Sequence, residues 1–399
     1  MPSPGGVMTY PALTKPAPEQ MRVRPNLADV DRAREGFTWD AIARELGWLP
    51  GGDLNKAQLC VDRHADGPLA EKLALIWEGK NGEEERYTFG QMRAEANRVA
   101  NALAQLGVRK GDRVFLFLDR VPELYFTFFA TLKLGAIIGP LFPAFGPDPV
   151  RDRLQDSGAV VLVTQPDLLR KVEGILGELP ALQHIVTLHR HTSEPPMAER
   201  RVVDFGELTR GASTSFRNVQ TTYDDFSVMH YTSGTTGKPK GAVHRHLAIL
   251  QQYATGKWVL DLHPGDIYWC TADPGWVTGT SYGMLAPWSN GVTQVITQAG
   301  FSARGWYQTI QKHGVTVWYT APTAIRMLMK AGEALPARHD LSALRHICSV
   351  GEPLNPEAVM WGSKVFRQVI HDNWWQTETG AIAIANYASM PVRPGSMGK

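Results

Sequence analysis

Tyr87-Thr88-Phe89-Gly90-Gln91-Met92 opens the stretch that decides the architecture. Thr88 and Gln91 have the spacing of a capping box, in which each side chain closes a backbone N–H left open at the start of a helix. Met92, Ala96, Val99, Leu103 and Leu106 then recur on one helical face, and Gly107 ends the pattern. Val114-Phe115-Leu116-Phe117-Leu118 follows as a continuous apolar run of strand length, a second helix begins after Pro122, and Gly135 to Leu141 is the next apolar run. Working outward, Val160 to Val163, Ile185 to Leu188, Phe226 to Tyr231, Val315 to Tyr319, His346 to Val350 and Val369 to His371 repeat the strand signal. Strands alternating with helices of this length imply an α/β fold, with parallel sheets covered on both faces. The expected organisation is a Pro-punctuated arm over 1–50, with a helical pattern around Trp39 to Trp48, then α/β subdomains over 51–215 and 216–399. The segment His191 to Arg200, with Pro195-Pro196, reads as a surface loop.

Composition narrows the function. The 399 residues are 43% hydrophobic and 20% charged, which is ordinary globular usage rather than disorder. Lys plus Arg less Asp plus Glu is 41 − 39 = +2, so there is no chain-wide basic field for nucleic acid or anionic membrane. Cys60, Cys270 and Cys348 are far apart and form no CxxC, which argues for three isolated buried thiols rather than disulfides or a zinc cluster. The apolar span Tyr125 to Phe145 is interrupted by Lys133, Gly135, Gly139, Pro140 and Pro143, and reads as a buried helix followed by a buried strand. The opening Met1 to Gly6 has no apolar signal core, and a cytoplasmic location is expected.

Five segments could carry chemistry. Tyr231-Thr232-Ser233-Gly234-Thr235-Thr236-Gly237-Lys238-Pro239-Lys240-Gly241 combines small residues, hydroxyls and lysines, the materials of a phosphate-binding loop. A Walker A loop fails: its first Gly would fall at Thr232, and Pro239 stands where Ser or Thr is needed. The plain alternative is a glycine turn with solvated lysines. His371-Asp372-Asn373-Trp374-Trp375-Gln376-Thr377-Glu378-Thr379-Gly380 follows a strand-like run, where active sites of open α/β sheets lie. It offers directional hydrogen bonds, two flat indoles, and in Glu378 a hard oxygen ligand for Mg2+; a polar turn between core tryptophans is its alternative. Val350-Gly351-Glu352-Pro353, Thr271-Ala272-Asp273-Pro274-Gly275-Trp276-Val277-Thr278-Gly279 and Tyr319-Thr320-Ala321-Pro322-Thr323 are turns open to either reading. His244-x-His246 lacks the further ligands zinc requires.

In this order the five segments resemble the acyl-adenylate-forming enzymes, the superfamily of acyl-CoA synthetases, luciferases and peptide-synthetase adenylation domains; the resemblance runs from about residue 25 to the end. Within it, Gly275-Trp276-Val277-Thr278-Gly279 paired with Trp374-Trp375-Gln376-Thr377-Glu378 is similar to the acetyl-CoA synthetases, the bacillus type most closely. The resemblance implies two stacked mixed or parallel sheets covered by helices, the N-terminal domain of such an enzyme. It implies ATP, acetate and CoA as substrates and Mg2+ as cofactor. Thr232, Ser233, Gly234, Thr235, Thr236, Gly237 and Lys238 would wrap the ATP phosphates, with Lys240 completing the basic edge and acting with Glu378 in catalysis. Gly351, Glu352 and Pro353 would line the adenine, Asp372, Asn373, Trp374, Trp375, Gln376 and Thr377 would continue that wall, and Glu378 would hold the metal. Val277, Thr278, Val350 and Trp375 would form the acyl pocket, and Trp276 with Thr278 the CoA channel.

Members of the superfamily continue beyond the equivalent of Pro394-Gly395-Ser396-Met397-Gly398-Lys399 into a ribose motif, a hinge and a small mobile domain with an adenylation lysine. The expectation is therefore a large N-terminal domain with that small domain missing and turnover impaired. Two other readings stand beside the acetate–CoA ligase: a catalytically silent nucleotide- or acyl-CoA-binding fragment, and an adenylation enzyme for another short acid.

Overall fold

The computed structural model describes residues 10–190, 201–232 and 237–399. The loop expected over 191–200 lies outside them. The helix anticipated after Tyr87 spans Phe89–Gln105, and both halves of its capping box form: Gln91 N–H donates to Thr88 Oγ1 at 3.2 Å, and Thr88 N–H to Gln91 Oε1 at 2.9 Å. Its apolar stripe, Met92 through Leu103, is buried. The next helix, Pro122–Lys133, is buried almost all round, and the strand Ile137–Pro140 follows it. Lys133 is tolerated there because its ammonium pairs with Asp62, which a buried charge requires. No described helix is long and apolar enough to cross a membrane.

Among the described residues, two mostly parallel sheets carry the fold. One has seven strands, in the spatial order 202–204, 184–187, 161–164, 113–117, 137–140, 226–232 and 240–245, the last pair forming an antiparallel hairpin. The other has eight: 384–385, 370–374, 346–349, 317–320, 267–270, 293–297, 73–78 and 84–88, with antiparallel pairs at its two edges. Each sheet draws strands from both sides of residue 215. The chain is thus an α/β fold of two mixed sheets wrapped by helices, and burial is deepest around Trp77, Trp269, Trp288 and Trp318. All three cysteines are buried and free.

The early chain adds the helix Trp39–Leu46, and Leu13 bridges to Val392. Beside that bridge Lys15 reaches inward, with its Nζ 2.6 Å from His371 Nε2 and donating to the carbonyls of Tyr387 and Ala388.

Candidate active site

The strands 226–232, 267–270, 317–320, 346–349 and 370–374 all end at one cleft of about 860 Å³. Carboxyl ends of parallel strands are where open α/β sheets place ligands, because the diverging loops leave a crevice there. Thr232, Trp276, Val277, Thr278, Val350, Gly351, Glu352, Trp375, Gln376, Thr377 and Glu378 share its wall. Residues from four separate sequence segments, at 232, 276–278, 350–352 and 375–378, are thereby brought together.

Other expected residues stand elsewhere. Gly237, Lys238 and Lys240 are exposed on the hairpin side, Pro353 is exposed just past Gly351, and Trp374 is 37% exposed. Ser233, Gly234, Thr235 and Thr236 lie outside the described residues. The strand read as ending near His371 continues through Ile370–Trp374, so Asp372 and Asn373 are strand residues buried beneath the cleft, at 3% and 1% exposure. Tertiary partners make that burial possible. Leu354 N–H donates to Asp372 Oδ2 at 3.1 Å, and Tyr319 OH donates to Asn373 Oδ1 at 2.9 Å. Burial pushes the Asp372 carboxyl up to about 6, opposed by the Leu354 N–H.

Trp375 is held as a fixed wall. Its Nε1–H donates to Tyr319 OH at 3.3 Å, and its ring packs edge-on against Tyr282 at 5.1 Å. Tyr282 in turn accepts the Ile382 N–H at 2.7 Å. The indole is therefore held between two buried tyrosines. Trp276 differs: 49% exposed, it packs against Phe142 and Phe145, with ring centroids 5.7 and 6.3 Å away, as a half-open aromatic cluster at the mouth.

Charge is unevenly distributed. Glu352 is bound by the Thr323 hydroxyl and the Arg326 guanidinium, which hold its carboxyl below the usual carboxylate range. Gly351 turns the chain there at φ +102°, in the left-handed region that favours glycine. Glu378 is exposed on the cleft wall and makes no ion pair with a described residue. The turn that carries it is closed by Thr379, whose Oγ1 accepts Gln376 N–H at 3.0 Å.

The cleft also contains residues to which the sequence assigned no role. Thr271 and Thr320 hydroxyls meet at 2.8 Å at its base, and Phe301, Trp306, Thr323 and Met327 line one side. Thr320 and Thr323 fall in a singled-out turn, and Met327 stands one helical turn past Thr323. Phe301 and Trp306 have no local signal beyond ordinary apolar periodicity.

The cleft thus lies at the strand ends, with an apolar wall around Trp375, the Gly- and Lys-bearing hairpin on one side and the Glu378 turn beside it. The chain belongs to the AMP-binding enzyme family, whose model matches residues 61–399. It is 48% identical over 375 residues to the acetyl-coenzyme A synthetase of Bacillus subtilis, covering 94% of this chain and 64% of that protein. It is 38% identical to the acetyl-coenzyme A synthetase of Pyrobaculum arsenaticum over an alignment of 408 positions, which covers 90% of this chain and 61% of that one. Among solved structures, the Brucella canis acyl-CoA synthetase superposes with a TM-score of 0.85 at 34% identity, covering 92% of this chain and 66% of that one. The chain thus spans a little under two thirds of the length of these relatives.

Proposed function

We propose that these residues form the nucleotide- and acyl-binding body of an adenylate-forming ligase, with a short carboxylic acid as the group activated. The observation that carries this reading is the indole of Trp375, held by Tyr319 and Tyr282, which lines the cleft with Val277, Thr278 and Val350 and would there limit the space to a small acyl group. Thr232 to Lys240 would take the ATP phosphates, and Gly351, Glu352 and Pro353 the adenine. Gln376 and Thr377 would continue that wall, with Asp372 and Asn373 supporting it from below and Trp374 at its outer edge.

A carboxylate is a poor electrophile, so it must be activated. One of its oxygens attacks the α-phosphorus of ATP, the bond to pyrophosphate breaks, and an acyl-AMP forms. No protein nucleophile is needed; positioning and neutralisation of phosphate charge supply the acceleration. Lys238 and Lys240, exposed on the hairpin, would contribute cationic charge. The donor set fits Mg2+: Glu378 is a hard carboxylate on the cleft wall without a competing ion pair among the described residues. Mg2+ held there would neutralise phosphate oxygens.

Acetate is the acid we favour, because relatives named acetyl-coenzyme A synthetase align across about nine tenths of this chain. In the whole protein CoA thiolate would then attack the acyl carbon and release AMP, entering past Trp276 and Thr278. One methylene is worth about 1–3 kcal/mol of discrimination, so propionate would be a slower substrate rather than an excluded one. A nucleotide-binding body that does not itself turn over is the second reading. Calorimetry with Mg2+-ATP, followed by mass spectrometry for acetyl-AMP, tests the reading. Binding with or without adenylate supports the nucleotide site, adenylate supports the ligase, and absence of nucleotide binding contradicts both.

A further inference from the structure

His244 lies outside the cleft, and its bonds point to a role there. It stands on the strand Lys240–Arg245, the return arm of the hairpin whose turn carries the Gly and Lys residues, and it pairs across the ladder with Val228. From there its Nε2 reaches 2.8 Å from the carbonyl oxygen of Thr377, one residue before Glu378. A carbonyl only accepts, so the ring proton sits on Nε2. Burial, and then the nearby Lys56, push the imidazole down to about 4, so it is neutral and donates one N–H.

The turn is shaped to receive the ring. Gly380 has φ +70°, and a Cβ at that position would lie 2.7 Å from His244 Cε1. Ser281 Oγ and Gln252 Nε2 both donate to the Gly380 carbonyl, at 2.8 and 3.2 Å. Those two bonds tie the turn to helical residues, and Thr379 ties it to itself. Among the described residues, His244 makes the one side-chain hydrogen bond between the hairpin of the seven-stranded sheet and the Glu378 turn of the eight-stranded sheet.

We infer that His244 is a positioning residue: by clamping Thr377 it fixes the separation of the lysine-bearing hairpin and Glu378, and so sets affinity for a nucleotide triphosphate carrying its divalent cation. This rests on the nucleotide reading above. A ligand that engages only the adenine side of the cleft, such as AMP, does not need that separation held.

The test compares Mg2+-ATP and AMP binding by calorimetry in the parent chain, His244→Ala and His244→Gln, with hydrogen exchange of residues 376–380 measured without ligand. Loss of one buried hydrogen bond is worth roughly five- to tenfold in affinity. We expect His244→Ala to lose about that factor for Mg2+-ATP, to keep AMP affinity within about twofold, and to exchange faster at 376–380. His244→Gln, whose amide can place a donor near the same point, should recover most of the loss. Equal losses for both ligands, no loss, or unchanged exchange would overturn the clamp, and should His244→Ala not fold, His244→Gln falling as far as a His244→Leu control would do so too. Failure of the parent chain to bind Mg2+-ATP would instead remove the nucleotide reading and the clamp's purpose with it.

Discussion

The two sides of the cleft are built on opposite principles. On the side proposed for the acyl group, Trp375, Tyr319, Asn373 and Tyr282 are buried and joined by hydrogen bonds and ring packing. On the hairpin side, Lys238 and Lys240 are exposed, and neither is ion-paired with a described residue. The difference teaches where selectivity and charge come from. In the proposed reading a small apolar group would be recognised by the packed wall, because discrimination against a longer chain is steric. In the same reading a polyphosphate would be recognised by flexible cations, whose long side chains can adapt to it.

The comparison breaks most sharply at Trp375. Trp375→Gly removes an indole from a rigid wall and opens space for several methylenes. In a form of the protein competent for adenylation, the preference between acetate and a four- to six-carbon acid should move toward the longer acid by at least about a hundredfold. Adenylate formation read by mass spectrometry checks this; an unchanged ratio means that Trp375 is not the wall.

Buried and exposed lysines give the second contrast. Lys56 is fully buried, its Nζ has no hydrogen-bond partner, and burial pushes it down to about 7. Between pH 7 and 10.5 the unfolded chain holds a proton that the folded chain has released, so stability rises with pH across that window. Lys56→Met should remove the penalty: more stable than the parent by on the order of 4 kcal/mol at or below pH 7, with the gain fading toward pH 10.5. Thermal or urea unfolding at pH 6.5 and 9.5 measures it, and a gain independent of pH would show that packing, not charge, is responsible.

Glu378→Gln should weaken Mg2+-ATP by about tenfold and AMP much less, because one anionic ligand is lost while the cleft keeps its shape. Calorimetry with both ligands distinguishes this from a general defect, which would weaken them equally. The smallest effect is expected on the adaptable side. Lys240→Ala should lower Mg2+-ATP affinity by about threefold, more at low salt than high, with stability unchanged within about 0.5 kcal/mol. A salt-independent loss would mean that the lysine acts through structure.

What the sequence made legible follows the same division. The alternation from Thr88 to Leu141 was readable because cap, apolar stripe, stop and strand are local signals, and the helix Phe89–Gln105 and strand Arg113–Phe117 form where they indicate. Strands such as Leu73–Glu78 and Lys240–Arg245 were not read: the first is a short apolar run whose hairpin turn, Gly79 with Asn81-Gly82, is its clearest local mark, and the second is half-polar, its pairing set by the hairpin. The polar strand end His371–Trp374 looked like a turn because the partners that satisfy Asp372 and Asn373, Leu354 and Tyr319, are 18 and 54 residues away. The expected residues that line the cleft were legible as loops at strand ends. Phe301, Trp306 and the clamp at His244 were not, since only folding brings them to the site.

The most direct test of the central claim is affinity for a stable mimic of an acyl-AMP. Adenosine 5′-ethyl phosphate and adenosine 5′-hexyl phosphate differ only in the length of the chain facing Trp375. Titrated calorimetrically into the 399-residue chain, the ethyl ester should bind at least about tenfold more tightly than the hexyl ester, and Trp375→Gly should reverse the order. Equal affinity for the two esters, or no binding of either, would contradict the account.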